Sequence, residues 1–145
     1  MTMRQQVSME KLIRSCPTLN GHQAAQLFEQ FVSICVWDDE LAADQVLLVL
    51  PKVAFDYEIV GYNVFVTTAP TTSALKFAFK DGVVENTDHV PEIAATETSV
   101  AWRVGDDSKA AIAVTAGNAL TMFVKAVGSG TAGGYPNITL TIRRK

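Results

Sequence analysis

The chain is predicted to be all-β: a jelly-roll-like antiparallel β-sandwich with a short helical or extended N-terminal arm. Three observations predict it. From Val32 onward, apolar and polar residues alternate with a period of two, the signature of strands with one buried face. Turn signals recur at short intervals: Asp81-Gly82, Asp106-Asp107 and Gly117-Asn118. The final stretch, Asn137-Ile-Thr-Leu-Thr-Ile-Arg, sets Ile138, Leu140 and Ile142 on one face and Thr139, Thr141 and Arg143 on the other.

Residues 1–31 have a different pattern. Ser8 is placed to cap a short helix with Met9, Leu12, Ile13 and Cys16 on one face. Pro17 ends it, because the residue before a proline disfavours the helical region. A second short helix is expected from His22 to Phe31, with Asn20 as cap and Leu27, Phe28 and Phe31 apolar. Neither piece is long enough to be stable alone in water. Residues 1–31 are therefore read as an arm that docks on the β-domain, on a sister subunit or on a larger surface. Its candidate interface residues are Met9, Leu12, Ile13, Leu27, Phe28 and Phe31.

Residues 32–145 form the β-domain. Val32 to Trp37 is strand-like, and Asp38-Asp39-Glu40 makes a polar corner. Val46 to Leu50 is an apolar run stopped by Pro51. Tyr57 to Thr68 is a long strand with Val60, Tyr62, Val64 and Val66 on one face; Gly61 and Asn63 on the other suggest a bulge or a close backbone approach. Leu75, Phe77 and Phe79 alternate with Lys76 and Lys80. Residues 83–96 lack clear periodicity and contain Pro91, so a long loop with at most one short strand is expected. Val100, Trp102 and Val104 alternate again, and Ala111–Thr115, Leu120–Val127 and the last stretch complete about eight strands. That number, with long connections, favours a two-sheet jelly roll over an up-and-down barrel.

Composition narrows the function. At 145 residues, one domain is the default. Charged residues are only 19% and the net charge is −3, with no basic stripe for nucleic acid. Arg143-Arg144-Lys145 reads as a solubilising tip. The low charge suggests a surface that a partner covers. No apolar leader follows Met1, and the run from Val46 to Leu50 is five residues, far below a membrane span. Synthesis in the cytoplasm without membrane insertion is the expectation. Cys16 and Cys35 are expected as free thiols, Cys35 as a small core hydrophobe.

No motif carries chemistry. Gly128-Ser-Gly-Thr-Ala-Gly133 fits a dinucleotide pattern, but a strand follows it where a phosphate-binding helix should begin. His22 and His89 have no metal-ligand spacing and read as ordinary surface or loop histidines. The acidic pairs are solvated turns without a calcium loop. There is no nucleophile elbow. Trp37 and Trp102 lie in alternating strands and are expected to pack in the core. Two histidines are too few for a cupin-like enzyme. The expectation is a protein that is not an enzyme and takes no cofactor or metal.

A resemblance adds to this. Asp44–Lys52, Tyr57–Pro70, Leu75–Gly82 and Gly130–Gly134 followed by the Ile138 strand together resemble the small jelly-roll virion proteins of tailed bacteriophages. These are capsid decoration (cement) proteins and related head-fibre or tail modules. The resemblance implies a structural virion protein, assembled in the host cytoplasm and located on the outer capsid surface. Its implied partner is the major capsid protein, and a homo-oligomer, dimer or trimer, is implied too. The alternative is a carbohydrate- or receptor-binding β-module of a phage fibre or tail, using aromatics such as Tyr62, Tyr135 and Trp102.

Overall fold

The computed structural model describes residues 29–128 and 130–145. Ten strands follow in order: β1 (Gln30–Cys35), β2 (Val46–Leu50), β3 (Tyr57–Thr68), β4 (Leu75–Asp81), β5 (Val84–Asn86), β6 (Glu92–Ile93), β7 (Ser99–Arg103), β8 (Ile112–Val114), β9 (Leu120–Ala126) and β10 (Gly134–Arg144). No helix occurs among the described residues.

The strands form two antiparallel sheets. The first runs β1-β10-β3-β7, with β8 also on β3; the second runs β2-β9-β4-β5, with β6 also on β4. Strands β5 and β6 pair successive parts of β4, and β7 and β8 successive parts of β3. Each pair is one strand interrupted by a loop. Eight strands remain, paired as β1–β10, β2–β9, β3–β7/β8 and β4–β5/β6. This is one long antiparallel hairpin folded over twice, the jelly roll that the sequence predicts.

The core lies between the sheets. Ile34, Ile138, Leu140, Tyr62, Val64 and Trp102 face inward from the first sheet. Leu48, Leu120, Met122, Val124, Phe77 and Phe79 meet them from the second. Both inner faces are apolar at every second position, which is why period-two strands form here at all.

β3 departs from strict alternation at one point. The register with β10 shifts where Gly61 pairs Thr141 and Ile59 pairs Ile142. Val60 is therefore an extra residue, a β-bulge. Tyr57 and Ile59 face the core before it, and Tyr62, Val64 and Val66 after it. The sequence places Val60 in phase with Tyr62. The structure corrects this: Val60 is buried but lies outside the core cluster.

Other expectations are corrected too. Gln30 and Phe31 belong to β1, so the helix expected from His22 to Phe31 does not extend to its end, and the first strand starts two residues before the expected boundary. The rest of that helix, and Met9, Leu12, Ile13, Cys16, His22, Leu27 and Phe28, lie outside the described residues. The stretch 83–96 holds two short strands, not at most one. Cys35 is exposed, because Val32, Ile34 and Val36 take the inward positions of β1 and its extension. Trp37 is 88% exposed, whereas Trp102 is in the core as expected.

The start of β10 is a tight fit. The Tyr135 amide donates to the Asp38 carbonyl at 2.6 Å, bringing the two backbones together beside Gly134. A Cβ at Gly134 would overlap the Asp39 carbonyl, which is backbone and cannot swing away. Gly134→Ala should therefore destabilise by about 1–3 kcal/mol in urea unfolding, the cost of overpacking.

Burial first, and the Asp107 carboxylate second, push the Tyr62 hydroxyl up to about 12. The unfolded chain ionises this group near its ordinary value of 10.0 while the folded chain keeps it neutral. Its contribution is whole below pH 10 and is lost as pH rises toward 12. Tyr57 is raised in the same direction by burial and then Asp81. Urea unfolding in this alkaline window should show a steep loss of stability, made shallower but not abolished by Tyr62→Phe.

Candidate functional site

The two outer faces of the sandwich differ in charge. On the second sheet, β4 presents Lys76 and Lys80, β9 presents Lys125, and the short strands add Glu85 and Glu92. Lys125 pairs with Glu85 at 2.8 Å and Lys76 with Glu92 at 3.8 Å. The Lys80 ammonium sits 4.6 Å from the Phe123 ring. This is a solvated surface.

The first sheet is different. Its register lines up outward positions into three rows across four strands. One row is Phe31, Thr141, Gly61 and Arg103; the next is Ser33, Thr139, Asn63 and Ala101; the third is Cys35, Asn137, Phe65 and Ser99. In these three rows only Arg103 is charged; one row beyond, on the same face, Arg143 and Glu58 are paired with each other. The Arg103 guanidinium donates to the Glu29 carboxylate at 2.8 Å, so that charge is already paired. Ser33 and Thr139 share a hydroxyl–hydroxyl hydrogen bond at 3.1 Å. Gly61 keeps the middle low, and a shallow depression of about 270 Å³ opens between Phe31, Thr139, Thr141 and Arg103. Phe31 (71% exposed) borders it, and Phe65 (48% exposed) stands on β3 two rows away.

Such a face suits burial by another protein. Hydroxyls and amides can exchange water for a partner's polar groups at far less desolvation cost than unpaired charges. The two phenylalanines supply apolar anchors. Exposed phenylalanines on a flat uncharged sheet are an uncommon surface for a protein that stays alone.

Of the residues singled out from sequence, Phe31 falls on this face. Met9, Leu12, Ile13, Leu27 and Phe28 lie outside the described residues. Phe65, Asn63, Thr139 and Thr141 were not singled out as interface residues. Their signal was present: between Glu58 and Thr68 on β3, and between Gly134 and Arg143 on β10, the outward positions carry no Lys, Arg, Asp or Glu.

A second cluster closes the far edge of the sandwich. His89, 1% exposed, sits in the loop between β5 and β6. The sequence reads it as an ordinary surface or loop histidine; it is in a loop but buried. Its Nε2 donates to the Ala110 carbonyl at 2.7 Å, because that oxygen can only accept. Nδ1 is buried without a partner among the described residues. The ring meets Trp102 edge-on, centroids 4.3 Å apart, and Trp102 stacks on Tyr62 at 5.5 Å. The Trp102 indole donates to Asp107 at 3.0 Å. That hydrogen bond, then the Lys109 amide, holds the Asp107 carboxyl below its ordinary range. His89 thus clasps the second sheet to the first. Tyr62 and Trp102 are spent in this packing and are not available as a sugar platform. Among the described residues, no group of three or more His, Cys, Asp or Glu is arranged to hold a metal ion.

No family model matches the chain, and no curated protein does. Among solved structures it is similar to a Bacillus endospore appendage protein, from a family of disulfide-linked pili, at 13% identity and TM-score 0.42, over 81% of this chain and 88% of that one. A protein of the acid-stable capsid of Helicobacter pylori bacteriophage KHP30 matches at 14% identity and TM-score 0.42, over 81% and 94%. The Tobacco streak virus coat protein matches at 10% identity and TM-score 0.35, over 79% and 85%. At these identities and scores the similarities carry no functional inference.

If the first sheet's outer face is an interaction surface and not a packing surface, truncating its anchors should leave the fold intact. Phe31→Ser and Phe65→Ser should each change unfolding free energy by no more than about 0.5 kcal/mol. Trp102→Ala, by contrast, should cost about 3–5 kcal/mol. Urea titration followed by circular dichroism separates the two.

Proposed function

We propose that this chain is a structural virion protein of a tailed phage, decorating the outer capsid surface and stabilising it by binding the major capsid protein through the outer face of the first sheet. The observation that carries the reading is the charge asymmetry of the sandwich. On the first sheet, three rows over four strands carry only Arg103, which is paired with Glu29, and the other charges on that face, Arg143 and Glu58, are paired with each other in the row beyond; the second sheet's face is ringed with lysines and glutamates. The sequence resemblance to phage decoration proteins supplies the partner.

Many copies of a small subunit can hold a shell together although each contact is weak, because contacts at neighbouring sites act together. A pre-formed sheet face suits that role, since little conformational entropy is lost when it docks. Residues 1–28 are proposed to add a second contact through Met9, Leu12, Ile13, Leu27 and Phe28, either with a neighbouring copy or with the capsid. The carbohydrate-binding alternative loses two of its three aromatics to the core, since Tyr62 and Trp102 are each 7% exposed.

The test is co-sedimentation with expanded capsids. Asn63→Lys and Thr139→Lys place an unpaired charge at the centre of the proposed contact, and each should weaken binding at least about 10-fold. Lys80→Glu, on the other sheet, should leave it unchanged. Leu12→Asp and Phe28→Asp in the full chain probe the arm. Equal loss from Lys80→Glu and Asn63→Lys would refute the assignment of the face.

A further inference from the structure

β1 and β10 run side by side and carry two unlike features to opposite ends of the molecule. At one end, where β1 begins and β10 finishes, the sheets part and leave a groove of about 750 Å³. Leu50, Val53, Phe55 and Ile142 wall it, and Arg144 and Lys145 rim it. Pro51 ends β2 and no strand resumes until Tyr57, which is why this end is not closed by pairing. Arg144 lies 4.3 Å from the Phe55 ring, holding one cation at the lip. The nearby carboxylates are already engaged: Glu58 by Arg143, and Asp56 by the Ala116 amide at 2.7 Å.

At the other end, the chain leaves β1 through Val36, whose amide donates to the Pro136 carbonyl at 2.9 Å. Trp37 follows, 88% exposed, with the Tyr135 ring edge-on at 6.4 Å. Asp38, Asp39 and Glu40 come next. Gln30 lines the groove and Trp37 is seven residues on, so about 23 Å separates groove and knob at strand rise. One end thus presents an indole with acidic neighbours, and the other an apolar cleft with a basic lip.

We propose that the Trp37 corner of one copy seats in the groove of the next, a head-to-tail contact between copies of this chain. Size, polarity and charge agree: the apolar cleft is roomy enough to admit the indole, and Asp39 and Glu40 meet Arg144 and Lys145. The surfaces are different patches on opposite ends, and head-to-tail addition leaves a free knob and a free groove at the two ends, so it builds rings or open chains. It uses neither the uncharged sheet face nor the capsid, and stands or falls separately from the proposed function.

The experiment is sedimentation of the full chain over a concentration series. The wild-type protein should grow with concentration beyond a dimer. Trp37→Ala should weaken this at least about 30-fold, as expected for an interface hot spot. Asp39→Lys/Glu40→Lys and Arg144→Glu/Lys145→Glu alter exposed positions and should each remain folded but fail to associate alone, like charge now facing like. Mixed one to one, the two variants should associate again, since each restores opposite charge to the other. A wild type that stays monomeric or stops at a dimer, association untouched by Trp37→Ala, or a mixture no better than its components would each overturn the proposal.

Discussion

The pairing of β3 with β10 is the constraint on which the molecule depends. These are its two longest strands, they sit at the centre of the first sheet, and every other strand of that sheet pairs with one of them. Their ladder contains one register shift, at Val60. A strand without it would turn either Tyr57 and Ile59 or Tyr62, Val64 and Val66 to the wrong side, because a one-residue slip flips every later side chain. The bulge lets a single long strand bury apolar residues at both ends. It also sets the outward phase that puts Gly61, Asn63 and Phe65 in rows with Thr141, Thr139 and Asn137. Core and outer surface are set by the same register.

The far edge has a different solution. β5/β6 and β7/β8 are each broken by a loop, and broken edge strands offer few consecutive backbone groups to another chain. The loops serve the core as well: one delivers His89 against Trp102, the other delivers the Ala110 carbonyl to His89 and Asp107 to the indole. A buried imidazole is tolerated here because Nε2 is satisfied and the ring face is covered by aromatic surface. The opposite edge is formed by β1 and β2, which no loop interrupts, and it exposes Val46 and Val49.

Much of the architecture was legible because it follows from alternation. β2 and β3 have the bounds read from their apolar runs, and the final strand was legible from Ile138, Leu140 and Ile142. The errors have local causes. Cys35 was assigned to the core as a small hydrophobe and Trp37 from its place in an alternating strand, but parity in β1 gives the inward positions to Val32, Ile34 and Val36. Gly61 marked the place of the bulge, but Val60 looked in phase because alternation does not show which residue is the extra one. His89 was invisible as a core residue because its partners, Trp102 and Ala110, are remote in sequence and its loop has no period. The uncharged face could be suspected from Thr139 and Thr141 alone, but its extent needed the register of four strands. The groove could not be read at all, since it is the space left between sheets where two chain segments diverge.

The distribution of charge then decides which surfaces are free to bind. An exposed sheet face without charge carries a risk of indiscriminate association, and so does an exposed tryptophan. Both features are held in check by their surroundings. The lysines and glutamates of the second sheet make that side costly to bury, so non-specific stacking of sandwiches through either face is disfavoured on one of the two surfaces involved. The carboxylates beside Trp37 repel the same corner of another copy, leaving a cationic, apolar cleft as its best complement on this molecule. Among the described residues the first sheet's face has no such complement: its rows of hydroxyls and amides match neither the charged sheet nor the basic lip. A partner of different composition is the natural occupant, and the rigidity of the β3–β10 ladder keeps that face in the shape such a partner would meet.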